Sequence, residues 1–284
     1  MIDPLPEDDS PLETLKLRAV HNYPAIWARV IAEWQQSDSG DHVWLTYAAN
    51  YLLNIARVRC AIDPFSMSTR VSGIQEPAFQ TDLQDLELVL LTHEHNDHLD
   101  MCLIASICDL PIQWVIPEFM KDRLFRAFPS LRHKSMVPQP GIPFSFKGIQ
   151  FTPFNSLHFH GNSGVPELGY LVEFNQKKWL FPGDIRNYDR SSLPVMGSLT
   201  GSFAHLWLGK AAAMEQNPPF LDAFCRFFVD LNPEHLVVTH LYEFGRDEND
   251  LWTDSHFQRI KNNFHKMTSE IQIKSSIMGD HIDL

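Results

Sequence analysis

Apolar residues recur along this chain in two rhythms, and the switches between them mark its elements. From Pro24 onward, Ile26, Val30 and Trp34 repeat at helical spacing. Proline suits a first helical turn, so a helix is expected from there to the polar run "SDSGD". Short apolar runs then take over. "HVWLTYAANYLL" and "VRCAIDPF" read as strands, and "LELVLLT" has the continuous apolar character of a buried strand. "HLDMCLIASICDL" and "EFMKDRLFRAF" read as helices on either side of a strand, "IQWVIP". Two hairpins follow, "IPFSFKGIQFTPF" turning at its Lys-Gly pair and "LGYLVEFNQKKWLFPGD" turning at 175–177. "SFAHLWLGK" and "EHLVVTH" read as strands, "LDAFCRFFVDLNP" as a helix, and "NDLWTDSHFQRIKNNF" as a closing helix.

Each half of the chain thus runs mainly through strands with helices inserted. Two sheets packed together with helices outside is the economical α/β (α+β) architecture for that order. No solenoid-length repeat and no low-complexity linker interrupts it. The expectation is one domain over residues 1–284, with 1–40 as an N-terminal helical extension and 1–10 disordered.

Composition changes the picture in a few places. A net charge of −12 argues against a nucleic-acid partner, which would need a basic face. No run approaches 18 apolar residues, so no membrane span is expected, and the acidic start "MIDPLPEDDS" is unlike a secretory signal. The four cysteines lack CxxC spacing and sit in apolar sequence, so buried free thiols in a reducing compartment are expected, with the cytoplasm as location.

One stretch does not fit a structural pattern. Residues 91–100 read "LTHEHNDHLD". A solvated turn would explain one histidine, but here three histidines and an aspartate fall within six positions after an apolar strand. On a helix, His93 and His95 would point to opposite sides. In an extended segment, residues two apart face the same way and can converge on one ion. A zincin motif would need a histidine at position 97, which is aspartate. Asp97 could also cap the helix that follows.

The run H-x-H-x-D-H after an apolar strand resembles the signature of the metallo-β-lactamase superfamily, and other positions extend the resemblance. "CAIDPF" supplies Asp63, "TPFNSLHFHG" supplies His158 or His160, "WLFPGD" supplies Asp184 and "LVVTH" supplies His240, all in the family's order. His158 is preferred because the family's ligand often follows a strand-ending proline, here Pro153. The resemblance implies a four-layer αββα sandwich holding two divalent ions about 3.5–4 Å apart. His93, His95 and His158 would hold one ion, and Asp97, His98 and His240 the other. Asp184 would bridge them, and Asp63 would orient the histidine loop.

The implied chemistry is hydrolysis by a metal-bridging hydroxide, with Asp97 carrying a proton toward the leaving group. Nitrogen and oxygen ligands suit zinc first, with manganese or iron as alternatives. Such a centre keeps about one positive charge, which favours a small anionic substrate, a phosphoester or a lactone. "DHLD" and the segment before it resemble the branch with ascorbate-6-phosphate lactonase and N-acylphosphatidylethanolamine phospholipase D. Those relatives commonly begin with a W-L-G-H strand where this chain has "WLTY". Arg186, His205, Lys210, Tyr242 and Arg246 fall near the ligand-bearing strand ends and are candidate substrate contacts. Alternative readings are an amide or carboxylic-ester hydrolase of the same fold, and a metal-binding sensor or scaffold without turnover. A homo-oligomer is left open.

Overall fold

The computed structural model describes residues 11–158, 164–207, 210, 220–247 and 250–284. The expectation of disorder for residues 1–10 lies outside them. The chain forms two compact units. The first comprises Met1–Val137, Glu243–Glu248 and Ile277–Asp283, and the second Pro138–Tyr242, Asn249–Ser276 and Leu284. Each contains one seven-stranded mixed sheet.

In the first unit, helix α1 spans Leu12–Gln36 and starts twelve residues before the expected Pro24. The apolar stripe expected from Ile26 continues backward through Tyr23, Ala19 and Leu15, so the buried face runs from Leu15 to Trp34. Pro24 therefore sits inside the helix. Strands β1 (His42–Leu45), β2 (Tyr51–Ile55) and β3 (Val58–Ile62) form an antiparallel meander. The run "HVWLTYAANYLL" is thus two strands rather than one, broken at 46–50, where Thr46 N donates to Asn50 O. Tyr23 Oη donates to Thr46 O and Trp34 Nε1 to Leu53 O, so α1 ties its buried face to this meander.

Two short helices, α2 (Met67–Arg70) and α3 (Phe79–Asp82), precede β4 (Leu88–Leu90). Helix α4 (Met101–Ile107), β5 (Gln113–Val115), α5 (Glu118–Ala127) and β6 (Ser135–Met136) complete a parallel run β3–β4–β5–β6. Asp100 caps α4, accepting from Cys102 N and Leu103 N through Oδ1. Its Oδ2 accepts from Ser66 N and Thr69 Oγ1, so it also clamps the 66–69 turn. The cap is therefore Asp100, not Asp97. Burial raises the Asp100 carboxyl's pKa, against the four hydrogen bonds that favour its charged form.

The second unit opens with β7 (Phe144–Phe146) and β8 (Ile149–Asn155), joined at Lys147–Gly148, both at positive φ. Strands β9 (Leu168–Phe174) and β10 (Lys177–Phe181) form the other expected hairpin, turning through Asn175 and Gln176 at φ 46° and 64°. Strands β11 (Gly201–His205), β12 (His235–Thr239) and β13 (Gln272–Ser275) then add in parallel to β10. The expected helix α6 (Phe220–Leu231) buries Leu221, Phe224, Cys225, Phe227 and Phe228, and α7 (Asp254–Met267) starts at a Thr253–His256 capping box. Strand β14 (His281–Asp283) returns to the first unit's sheet beside β1. Its three residues were too short a run to read from the sequence.

Cys60, Cys108 and Cys225 are buried free thiols as expected, but Cys102 is exposed, because it lies in the first turn of α4 on the face away from Leu103 and Ile104. Burial pushes the Cys60 thiol up to about 12, which leaves it protonated and unreactive. No helix among the described residues is long and apolar enough to cross a membrane.

Candidate metal centre

In the first unit, parallel pairing of β3 and β4 sets Ile62 beside Leu90. The residues that follow, Asp63 and the segment from Thr92 to His98, therefore emerge together at the carboxyl ends of adjacent strands. Asp63 is buried in the left-handed region at φ 45°, uncommon for a residue with a Cβ. Its backbone N–H donates to Leu90 O, and its carboxylate accepts from Thr92 N at 2.8 Å. The other oxygen pairs with His98 Nδ1 at 2.8 Å. That bond fixes the tautomer and turns Nε2 of His98 to the opposite edge of the ring.

Asn50 adds a brace, donating to both Asp63 O and Asp97 O at 3.0 Å. His93 is buried, its Nδ1 paired with Thr92 Oγ1 and its Nε2 3.1 Å from His95 Nδ1. The segment at 91–95 is not helical, and the two imidazoles converge as the extended reading requires. His98 packs on His93 with ring centroids 4.2 Å apart.

Topology does the same in the second unit. Strands β8 and β10 both run antiparallel to β9, and β10, β11 and β12 run parallel. His158, Asp184, His205 and His240 all lie at or just past the carboxyl ends of these like-directed strands, the usual ligand-binding end of α/β sheets. All four are buried. Asp184 Oδ1 is 3.0 Å from His205 Nδ1 and 3.8 Å from His240 Nε2. His240, like Asp63, holds positive φ, at 69°. The preferred third histidine, His158, is among the described residues; His160 lies outside them.

Sequence reasoning missed Glu167. Both its carboxylate oxygens accept from Asp184 N, at 3.0 and 3.1 Å, so it fixes the backbone that aims Asp184. Burial, and then the charge of Asp184, pushes the Glu167 carboxyl up to about 7, opposed by His158. Gly183 at φ 76° makes room for this contact, since a Cβ there would come within 2.3 Å of Glu167 Oε1. The only hint in the sequence is an acid directly before an apolar strand, in "PELGYLV".

The predicted substrate contacts have distinct surroundings. The Arg186 guanidinium lies 4.5 Å over the Trp207 ring, and that ring is 5.1 Å from the His158 imidazole. Trp207 Nε1 donates to Ile185 O, which holds the indole in place. His205 is bonded to Asp184. Tyr242 is buried, and its hydroxyl accepts from Asp254 N at the start of α7. Arg246 pairs with buried Glu243 at 3.0 Å, a carboxylate shared with Arg70 at 2.9 Å. Lys210 is half-buried.

Both sets offer imidazole nitrogens and carboxylate oxygens, a donor chemistry that fits zinc, manganese or iron. So many buried polar side chains at strand ends contribute nothing to an apolar core.

A family model described as the beta-lactamase superfamily domain matches residues 59–241. No curated protein matches the sequence. Among solved structures, the metallo hydrolase Igni18 from Ignicoccus hospitalis is 15% identical, with a TM-score of 0.61 over 87% of this chain and 99% of that one. The metallo-beta-lactamase fold protein YhfI from Bacillus subtilis is 14% identical, with a TM-score of 0.62 over 86% and 100%. CmlA from Streptomyces venezuelae, a diiron beta-hydroxylase, is 16% identical, with a TM-score of 0.63 over 96% of this chain and 63% of that longer one. The matched segment runs from β3 to the residue after His240 and carries both sets of side chains, so the chain belongs to the metallo-β-lactamase superfamily.

Proposed function

We propose that this protein is a dinuclear metal-dependent hydrolase acting on a small anionic phosphoester or lactone, with both sets of side chains serving one pair of ions. The observation that supports it most is burial: of the seven ligands expected from the family's order, all but the half-buried His95 are buried. In this reading His93, His95 and His158 would hold one ion and Asp97, His98 and His240 the other, with Asp184 as a ligand available to both. Zinc suits the donors, with manganese or iron as alternatives; the likeness to a diiron enzyme keeps iron in view. When bound, the ions supply a water acidified toward neutrality and a Lewis acid for the substrate oxygen.

The chain's own residues do the rest. Asp63 and His205 hold their partners' rings and carboxylates in one orientation, and Glu167 fixes the Asp184 backbone. Asp97 carries a proton toward the leaving group. Arg186, held against the Trp207 ring, presents a fixed positive charge to the substrate's phosphate or carboxylate. The likeness of "DHLD" to the lactonase and phospholipase D branch supports phosphorylated or lactone substrates over β-lactams. The two units would then work as one domain.

The test is a panel of phosphodiesters, phosphomonoesters and lactones, run on protein of known metal content. Turnover of one class, with KM raised in Arg186→Ala and kcat little changed, is the expected result. Stoichiometric metal with no turnover across the panel would favour a sensor or scaffold.

A further inference from the structure

Away from these strand ends, the first unit carries a second cluster of metal-binding side chains. Antiparallel pairing of β1 and β14 sets His42 opposite Asp283 and Trp44 opposite His281. Side chains two apart on a strand share a face, so His42, His281 and Asp283 fall together. His42 Nδ1 is 2.9 Å from Asp283 Oδ1 and 2.9 Å from His281 Nε2, and the last two atoms are 3.4 Å apart.

The three ligand atoms of this triangle could hold a cation. His42 Nε2 lies 2.9 Å from Ser39 O, and a carbonyl oxygen can only accept. Nε2 therefore carries a proton, and in the neutral form of the ring Nδ1 presents a lone pair. That lone pair faces a carboxylate oxygen at hydrogen-bond distance, two acceptors with no proton of their own between them. A proton on His281 Nε2 can reach toward either atom but does not lie on the line between them. A bound cation, or a second proton on His42, removes the conflict, and the test below separates the two.

The surroundings are those of a ligand rather than a chance surface pair. A metal-bound histidine commonly donates its other N–H to a backbone carbonyl, as His42 does to Ser39. Gly40, at φ 86°, permits the tight turn that brings this carbonyl round; a Cβ there would come within 2.3 Å of His42 Nε2. His281 stacks on Trp44 at 5.1 Å and 21°, and the Trp44 indole donates to Glu33 of α1, so the ring rests on a fixed wall. A tetrahedral zinc ion with bonds of about 2.0–2.1 Å separates its ligand atoms by roughly 3.3 Å. The side between His281 and Asp283 already fits, the solvent-exposed Asp283 leaves room for its side with His42 to open, and the two rings must part by a few tenths of an ångström.

We propose that His42 Nδ1, His281 Nε2 and Asp283 Oδ1 form a separate divalent-metal site, suited to zinc, which pins β14 to β1 and leaves a coordination position open to water. The proposal does not depend on the hydrolase reading. Its test uses tag-free full-length protein, already carrying whatever metal survives purification, titrated with Zn2+ by calorimetry and followed by thermal unfolding. Wild type should bind one further Zn2+ per chain and gain in Tm. His281→Ala and the shape-preserving Asp283→Asn should each bind it at least about tenfold more weakly and lose most of the Tm gain. Equal Zn2+ uptake by wild type and both variants would overturn the proposal. So would the absence of a further ion in wild type, with His42 protonated on both nitrogens by NMR, because a proton would then hold the cluster.

Discussion

The two sets of buried histidines and carboxylates are built by different means. In the first unit four of the five key residues lie within 93–98, on one stretch leaving β4, and Asp63 joins them through a single pair of neighbouring parallel strands. In the second unit His158, Asp184, His205 and His240 come from four strand ends spread over more than eighty residues. A local set inherits its order from the backbone. A dispersed set needs something to hold each member in place, and Glu167 does that for Asp184. Both sets use a carboxylate as the brace, but Asp63 grips the His98 ring as well as a backbone amide, while Glu167 puts both oxygens on the one amide of Asp184.

The largest expected effect comes from removing the member on which the dispersed set converges. Asp184→Ala should lower kcat/KM by more than about 100-fold, beyond what loss of an outer partner costs. A variant that kept near-normal activity would remove Asp184 from the centre. Gly183→Ala should approach that loss without touching a ligand, because the new methyl group collides with Glu167 and position 183 is left-handed. Full activity in this variant would mean that the Glu167 clamp is dispensable.

The braces themselves come next. Asp63→Asn and Glu167→Gln should each weaken metal binding by about 10–100-fold, measured by competition with a chelating dye. The comparison sharpens if they differ. An asparagine at 63 can still accept from Thr92 N, whereas a glutamine at 167 must give up one of its two contacts with the Asp184 amide. The smallest effect is structural. Asp100→Ala, which removes the α4 cap and the clamp on 66–69, should cost about 1–2 kcal/mol in denaturant unfolding and leave metal content unchanged. Lost metal would show that the cap also supports the histidine loop.

The same contrast explains what the sequence could reveal. The first set was legible because its members sit side by side after an apolar strand, and strand periodicity puts His93 and His95 together. His158, Asp184 and His240 were legible only through the family's ordered pattern, since a single strand-end histidine or a Gly-Asp pair has many ordinary uses. Glu167 and Trp207 were not seen because their roles exist only in three dimensions, across the β8–β9 and β10–β11 connections. Strands β6 and β14 lack the apolar run that made β4 and β5 readable at three residues. Pro24 signals a helix start in the sequence, but α1 runs through it from Leu12, the long buried stripe offsetting the backbone hydrogen bond that proline cannot donate.

The central claim is that side chains from both units serve one pair of ions. Metal content per chain, by plasma mass spectrometry on protein purified without chelator, tests it directly when wild type is set beside His93→Ala and His158→Ala. The His42 cluster is removed in all three by His281→Ala. The account predicts two ions per chain in the His281→Ala background, a loss of one in each variant, and no further loss when His93→Ala and His158→Ala are combined, because both residues serve the same ion. At most one ion in that background, a variant in either unit that retains the full complement, or loss of both ions in the combination would contradict it.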